Sequence, residues 1–302
     1  MDRLEAMGIL VAVAETGSLS AAGRRLGVPL SSVSRKIADL EAHLKTRLLT
    51  RASRQAALTD AGRAYVAACR RILEEVGEAE RAAAGEYSAP RGELVVTAPL
   101  VFGRLHMLPV VLDFLAAFPE VDVRLYLADR RLQLVEDHVD LALRIGPLAD
   151  SALIALKIGM MRRVVVASPD YLARRGTPQN PADLVQHDCI DAAGARPTSD
   201  WAFETRVPVR SRLDVNTAEA AIDAAIAGVG LARVLHYQVV QAVRDGKLVL
   251  VLEAFEPELW PVSLVHAGQG PLPLKLRAFL DFAAPALRRR LADLYSFQNS
   301  EG

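Results

Sequence analysis

Apolar residues recur at helical spacing from the start of the chain. Leu4, Met7, Val11 and Ala14 share one face, which predicts a helix ending at Gly17. Ser18 or Ser20 caps a short second helix carrying Ala21, Ala22 and Leu26. Gly27-Val28-Pro29 forms a tight turn, and Val33, Ile37, Leu40 and Leu44 mark the buried face of a third helix over 30–44. Two short helices around a glycine-containing turn are the helix-turn-helix pattern. Two β-type runs over 47–51 and 55–59 flank a basic turn and suggest a wing. A long helix then spans 60–87, with a narrow stripe of Tyr65, Cys69, Ile72, Val76, Ala79 and Ala83. A stripe this narrow predicts a helix–helix seam; an exposed linker helix would leave it in water. Ser88-Ala89-Pro90-Arg91-Gly92 breaks the pattern and marks a boundary.

The remaining two-thirds alternates between periods. Strands are expected over 94–97, 121–127, 141–145 and 163–167, with a helix over 102–118 and a short one holding Leu132, Leu134 and Val135. After Ser168-Pro169 come a helix near Tyr171, strands near Cys189 and over 207–215, and a helix over 217–227. Strands over 249–252 and 262–266 and helices over 274–294 complete the set. The alternation predicts βαβ units, a parallel sheet and two small α/β lobes. The domains expected are 1–59 (helix-turn-helix and wing), 60–88 (linker helix) and 89–302, the last with one lobe over 92–167 and 267–302 and another over 168–266.

Composition narrows the class. With 302 residues, 51% hydrophobic and 24% charged, the chain is long enough for two or three folded domains. No stretch of eighteen apolar residues lacks a charge, so no membrane span is expected. The first residues, Met1-Asp2-Arg3-Leu4-Glu5, do not resemble a secretory signal. Cys69 and Cys189 lie far apart without a CxxC, which suggests a reducing cytosol and a cytoplasmic protein. The zero net charge conceals an asymmetry: residues 20–54 hold eight bases against two acids, a local charge of +6. Such a cluster suggests a polyanion-binding module joined to something else.

The third helix leaves Ser31, Ser32, Ser34, Arg35 and Lys36 toward its open faces. Small hydroxyl residues allow close approach to a groove, and Arg51 and Arg54 on the wing would reach backbone or minor groove. The bland alternative is a solvated face with capping serines and ordinary arginines. No metal-ligand spacing, GxSxG or Walker loop occurs, and Gly228-Val229-Gly230 reads as a helix exit rather than a dinucleotide loop. Cys189 reads as a buried, inert thiol. No catalytic residue, cofactor or metal is therefore expected. Two lobes without catalytic motifs suggest a binding cleft at strand ends and helix starts. The candidates are Thr97, Pro99, Leu100 and Phe102; Asp129 and Arg130; Arg144 and Gly146; and Asn216 with Thr217. Two cations, a hydroxyl and a helix N-terminus favour a small organic anion. Arg144 is either a ligand group or the partner of Asp129 or Asp140.

Taken together, these residues resemble the LysR-type transcriptional regulators. The resemblance rests on Val13-Ala14-Glu15-Thr16-Gly17-Ser18, Ala21-Ala22, Leu26-Gly27, Val33-Ser34-Arg35, Leu40-Glu41, Arg51 and Leu58-Thr59-Asp60-Ala61-Gly62. It continues through Leu141-Ala142-Leu143-Arg144-Ile145-Gly146, Ala167-Ser168-Pro169-Asp170-Tyr171-Leu172, Asn180-Pro181-Ala182-Asp183-Leu184, Trp201-Ala202-Phe203 and Ala227-Gly228-Val229-Gly230. It implies an α/β fold: an N-terminal winged helix-turn-helix, a dimerising linker helix and a two-lobe effector domain like a periplasmic binding protein. It also implies double-stranded DNA and a small-molecule effector as partners, and a homo-oligomer, either a dimer or a dimer of dimers. By position, Ser31, Ser32, Ser34 and Arg35 would face DNA with Arg51 on the wing, and Arg196 would join the effector cleft. The chain departs from the pattern at Leu10, Leu19 and Leu49, usually Phe, at Gly23, usually Ala, and at Lys45, usually Gly. Pro29-Leu30 replaces a polar pair. The competing readings are a cytoplasmic binding protein with a vestigial DNA module and, less well supported, an enzyme.

Overall fold

The computed structural model describes residues 2–50, 56–83, 89–129, 134, 136–148, 153–192, 200–268 and 272–296. The chain forms two compact units, Met1–Ala89 and Pro90–Gly302.

In the first unit, α1 (Arg3–Thr16) starts where the Asp2 carboxylate accepts the Leu4 and Glu5 N–H groups, and ends at Gly17 with φ 64°. It is the central helix and packs against α2 (Leu19–Leu26), α3 (Leu30–Leu44) and α4 (Asp60–Ala83). Ala6, Ile9, Leu10 and Val13 meet Ala22, Val33, Ile37 and Leu40 in one core. Leu10 thus fills the core without the usual Phe. A Cβ on Gly23 would lie 2.8 Å from the Val28 carbonyl oxygen, so glycine lets α2 close directly onto the turn. Gly23, where Ala is usual, is thus a close-approach site.

The wing strands β1 (Leu49–Thr50) and β2 (Ala57–Leu58) pair antiparallel. Tyr65, Val66 and Cys69 of α4 join the core of this unit, so the first two turns of the stripe pack internally rather than on a partner. Only from Ile72, 37% exposed, does the stripe reach the surface.

In the second unit, β3 (Gly92–Ala98) leads into α5 (Leu100–Phe102), a π-turn over Gly103–Met107 and α6 (Leu108–Ala117). By composition Leu100–Ala117 is long enough to cross a bilayer; here it is broken by the π-turn and packs Phe102, Met107, Val110 and Phe114 into a core. Then follow β4 (Val121–Leu127), β5 (Leu141–Ile145), β6 (Leu153–Met161) and β7 (Arg163–Ala167). The chain continues with α7 (Pro169–Arg175), a 3₁₀ turn over Pro181–Gln186, β8 (Asp188–Asp191), β9 (Asp200–Ala202), β10 (Arg206–Pro208), β11 (Arg210–Asp214) and α8 (Ala218–Ile226). It ends with β12 (Leu231–Leu235), α9 (His236–Arg244), β13 (Val249–Val251), a 3₁₀ turn over Glu253–Phe255, β14 (Trp260–Ala267) and α10 (Leu274–Ser296).

Two five-stranded sheets result, ordered β4-β3-β5-β14-β6 and β11-β8-β12-β7-β13. Both are mixed rather than parallel. β14 runs antiparallel to β5 and β6, and β7 antiparallel to β12 and β13. The reason is connectivity: the chain enters the second lobe through β6 and β7 with Arg162 alone between them, and returns through β14. The lobe crossings therefore fall at Arg162 and between Phe255 and Trp260, not at 167/168 and 266/267. β6, β12 and α9 had no counterpart in the sequence reading, and the final helix is one helix that contains Pro285. The short helix expected around Leu132 and Val135 lies largely outside the described residues; Leu134 and 136–138 form turns.

Candidate functional site

The wing is fastened to α3 by a carboxylate. Glu41 Oε1 accepts the Leu48 and Leu49 N–H groups at 2.7 and 3.0 Å. Thr59 Oγ1 donates to the Arg47 carbonyl at 2.8 Å and accepts the Gly62 N–H at 2.9 Å. These bonds hold the wing root rigidly beside the third helix, whose inner face is Val33, Ile37 and Leu40. Its outward face presents Ser31, Ser34 and Arg35, all exposed, with Ser32 half-buried between. Arg35 has no ion pair among the described residues. Lys36 differs: it pairs with Glu5 of α1, so its ammonium is directed along the protein. Arg51 and Arg54 lie outside the described residues. A rigid helix with small hydroxyls and a free guanidinium is suited to phosphate and groove contact.

In the second unit the two lobes meet through several contacts among the described residues. The Tyr237 side chain, from α9, is buried in the first lobe's core, edge-on to Phe102 at 5.4 Å. Arg104 donates to Glu219 at 3.0 Å. Arg162 makes a fork to Glu256, 2.7 and 2.5 Å, with Glu253 at 3.3 Å. The Arg163 guanidinium lies 4.1 Å from the Trp260 ring centre. His106 packs against both Phe102 and Tyr237, and its buried Nε2 has no hydrogen-bond partner. Burial pulls its pKa down to about 4, with Arg290 adding to the effect.

The strand-end candidates are arranged around this junction. Thr97 is 3% exposed and its hydroxyl donates to the Tyr126 carbonyl, so it is a cross-strand tie. Pro99 precedes α5, where the Leu100 N–H donates to Asp129 Oδ1 at 3.0 Å. Asp129, itself one of the candidates, is thus bonded to the start of this short helix. Phe102 is fully buried core. Arg144, opposite Ser263, shares the sheet face of Ala142, the register partner of Thr97. Thr217 caps α8 by accepting the Ala220 N–H at 3.3 Å, and Asn216 is exposed. Gly146, φ 109°, lies against Trp260, whose ring a Cβ would approach to 3.0 Å. Arg130 and Arg196 lie outside the described residues.

The comparisons with known proteins decide the family. The model described as "LysR substrate binding domain" matches residues 88–288. That described as "Bacterial regulatory helix-turn-helix protein, lysR family" matches residues 4–63. The chain belongs to the LysR family of transcriptional regulators. It is 34% identical to the HTH-type transcriptional repressor PA14_22550 of Pseudomonas aeruginosa, covering 93% of this chain and 91% of the relative. It is 30% identical to the HTH-type transcriptional activator AaeR of Escherichia coli, with 93% of each covered. The structure of CrgA, a LysR-type transcriptional regulator from Neisseria meningitidis, matches with TM-score 0.60 and 30% identity over 94% of this chain and 98% of that one. This LysR-type chain therefore joins a DNA-binding helix-turn-helix domain to a two-sheet α/β effector-binding domain, and it is a regulator rather than an enzyme.

Several groups in the LysR-type effector domain escaped the sequence reading. Arg163 starts β7 and Arg233 lies within β12, and register places them diagonally on one sheet face. Arg233 lies 5.2 Å from the Trp201 ring centre and donates to the Ala202 carbonyl at 3.0 Å. Burial lowers the pKa of both arginines, that of Arg233 to about 9 with Arg163 adding repulsion. The readable signal was a guanidinium inside the apolar runs Arg163-Val164-Val165-Val166 and Leu231-Ala232-Arg233-Val234, where a cation is costly unless used. The Cys189 thiol is buried, and burial pushes its pKa up to about 12.

Proposed function

We propose that this regulator reads double-stranded DNA with α3 and the wing, and that its operator binding responds to a small organic anion held between the lobes of the effector domain. The DNA reading is carried by one observation: Ser31, Ser34 and Arg35 project together from a helix whose opposite face is fully packed. Ser32 and Lys36 flank it, and Arg51 and Arg54, outside the described residues, are added from the sequence alone. The anion reading is supported by the balance of charge at the lobe junction. Arg104 and Arg162 are matched by Glu219, Glu253 and Glu256, whereas Arg163 and Arg233 form no ion pair among the described residues. Thr97, Pro99, Leu100, Asp129, Arg144, Gly146, Asn216 and Thr217 are the further candidates for the effector cleft, and Arg130 and Arg196, outside the described residues, are added from the sequence alone. The protein works in the cytoplasm as a dimer or dimer of dimers, joined along the exposed part of α4 from Ile72 onward. The exposed apolar residues there supply the contact.

The test is a mobility-shift titration of the full chain on the DNA upstream of its own coding sequence. Saturable retardation that resists excess unrelated DNA is expected. Retardation competed equally by any duplex would overturn the reading.

A further inference from the structure

We infer that Arg163 and Arg233, with the Trp260 indole beside Arg163, form the subsite that grips a planar organic carboxylate. The inference rests on the effector-cleft reading above and deepens it. In the β7–β12 register Leu235 stands opposite Arg163 and Val165 opposite Arg233. The two guanidinium groups are therefore diagonal neighbours on one face, with backbones about 7–8 Å apart. The same face carries Asp191, next to Arg233 across the parallel β8 pairing. One carboxylate faces two cations, and it lies beside Arg233 rather than Arg163.

A purely structural arginine in a sheet is normally held by a carboxylate or a set of carbonyls. Arg233 has one such bond, from Nη1 to the Ala202 carbonyl. Arg163 has no hydrogen bond or ion pair among the described residues, only the Trp260 ring. A guanidinium lying near an indole keeps its N–H donors in its own plane, and that fork matches a carboxylate. Bridging the two forks would return the face to neutrality and remove the repulsion between them. The half-buried Trp260 indole supplies flat apolar surface, which suits a planar body, whereas Trp201 is buried in the lobe's core beneath Arg233. The position fits a lobe-closing ligand. Arg163 follows the crossing residue Arg162 by one position, and Trp260 begins the returning strand, so the subsite sits where the two lobes join. Gly146, a residue the sequence singled out, packs on the same Trp260 ring.

The experiment uses the full chain with three probes: benzoate, benzamide as its neutral counterpart, and cyclohexanecarboxylate as its puckered one. Both tryptophans lie in the second unit, so tryptophan fluorescence follows its thermal unfolding. Benzoate should raise the midpoint, cyclohexanecarboxylate should raise it less, and benzamide should leave it unmoved. Arg163→Met should weaken benzoate binding about tenfold to a hundredfold, the loss of a charge-assisted fork. Arg163→Lys should lie between. Without ligand, Arg163→Met should be as stable as the parent or more so, because a repelling charge is gone. No response to benzoate, an equal response to benzamide, or an undiminished response in Arg163→Met overturns the proposal. So does a ligand-free Arg163→Met that is less stable than the parent, which would make Arg163 a structural residue. A mobility shift on the parent separates the two readings. Benzoate binding without DNA binding refutes the regulator reading alone, and DNA binding without benzoate binding refutes only the subsite.

Discussion

Two glycines that look alike in sequence should respond to the same substitution with opposite signs. Gly62 lies in the first turn of α4, and a Cβ there would fall 2.0 Å from the Leu48 carbonyl oxygen and 2.9 Å from its carbon. Ordinary contact begins at 3.4 Å, so in Gly62→Ala the helix and the wing root must separate by about 1.4 Å. Overpacking of this kind costs about 1–3 kcal/mol. The obstacle is backbone, held in place by the Glu41 carboxylate on the Leu48 and Leu49 N–H groups. Loosening those charge-assisted bonds brings the expected loss to about 2–4 kcal/mol. Gly8, inside α1, has nothing within 4 Å of its Cβ position. Gly8→Ala should therefore stabilise by about 0.5–1 kcal/mol through helix propensity and chain entropy. Urea unfolding of the full chain distinguishes the units. Tryptophan fluorescence reports only the effector domain, and far-UV circular dichroism reports both. In Gly62→Ala the circular-dichroism curve should acquire an early phase, displaced by about 1–2 M urea, while the fluorescence curve stays in place. An unmoved early phase, or equal effects of the two substitutions, would refute the close-packing argument.

Lys45 ends α3 with φ 52°, where a side chain is strained, so Lys45→Gly should raise the first unit's stability by about 0.5–1 kcal/mol, read as a later urea transition. Arg35→Ala should lower the salt slope of operator binding by about one without shifting unfolding, because the residue is exposed and unpaired within the described chain; an unchanged slope removes it from the interface. His106 titrates near 4 when folded against an ordinary 6.5, so the unfolded chain takes up its proton first as the pH falls. The stability tied to neutral His106 is complete above about 6.5 and drains away toward about 4. His187 and His236 are lowered in the same direction, so the diagnostic quantity is the difference between the parent and His106→Phe, whose midpoint should fall less between pH 7 and pH 5. Parallel curves would contradict it.

The first unit was legible because each device in it is local. The 3.6 period, Ser18 as a cap and glycines at the ends of α1 and α2 place α1, α2 and α3 within the limits read from sequence. The stripe on α4 was legible as apolar but not as to its partner: Tyr65 and Cys69 pack on α1, a contact that periodicity cannot assign. In the effector domain strand positions were readable and strand directions were not. Whether β7 and β14 run parallel or antiparallel depends on which lobe the chain is leaving, and no local signal carries that. Strand ends and helix starts pointed to Thr97 and Leu100, whose hydroxyl and N–H bond to the Tyr126 carbonyl and the Asp129 carboxylate. Arg163 and Arg233 were not legible, because they lie at a lobe crossing and in mid-strand and are brought together only by the pairing of β7 with β12.

The proposal that α3 and the wing read a DNA sequence predicts a difference in affinity between duplexes. Fluorescence anisotropy of the full chain measures this most directly, with the duplex upstream of its own coding sequence compared with a shuffled duplex of equal composition between 50 and 200 mM salt. Tighter binding to the upstream duplex at every salt concentration, with affinity falling steeply as salt rises for both, is the result expected of charge-assisted backbone contact combined with base readout. Equal affinity for the two duplexes, or no binding to either, would contradict it.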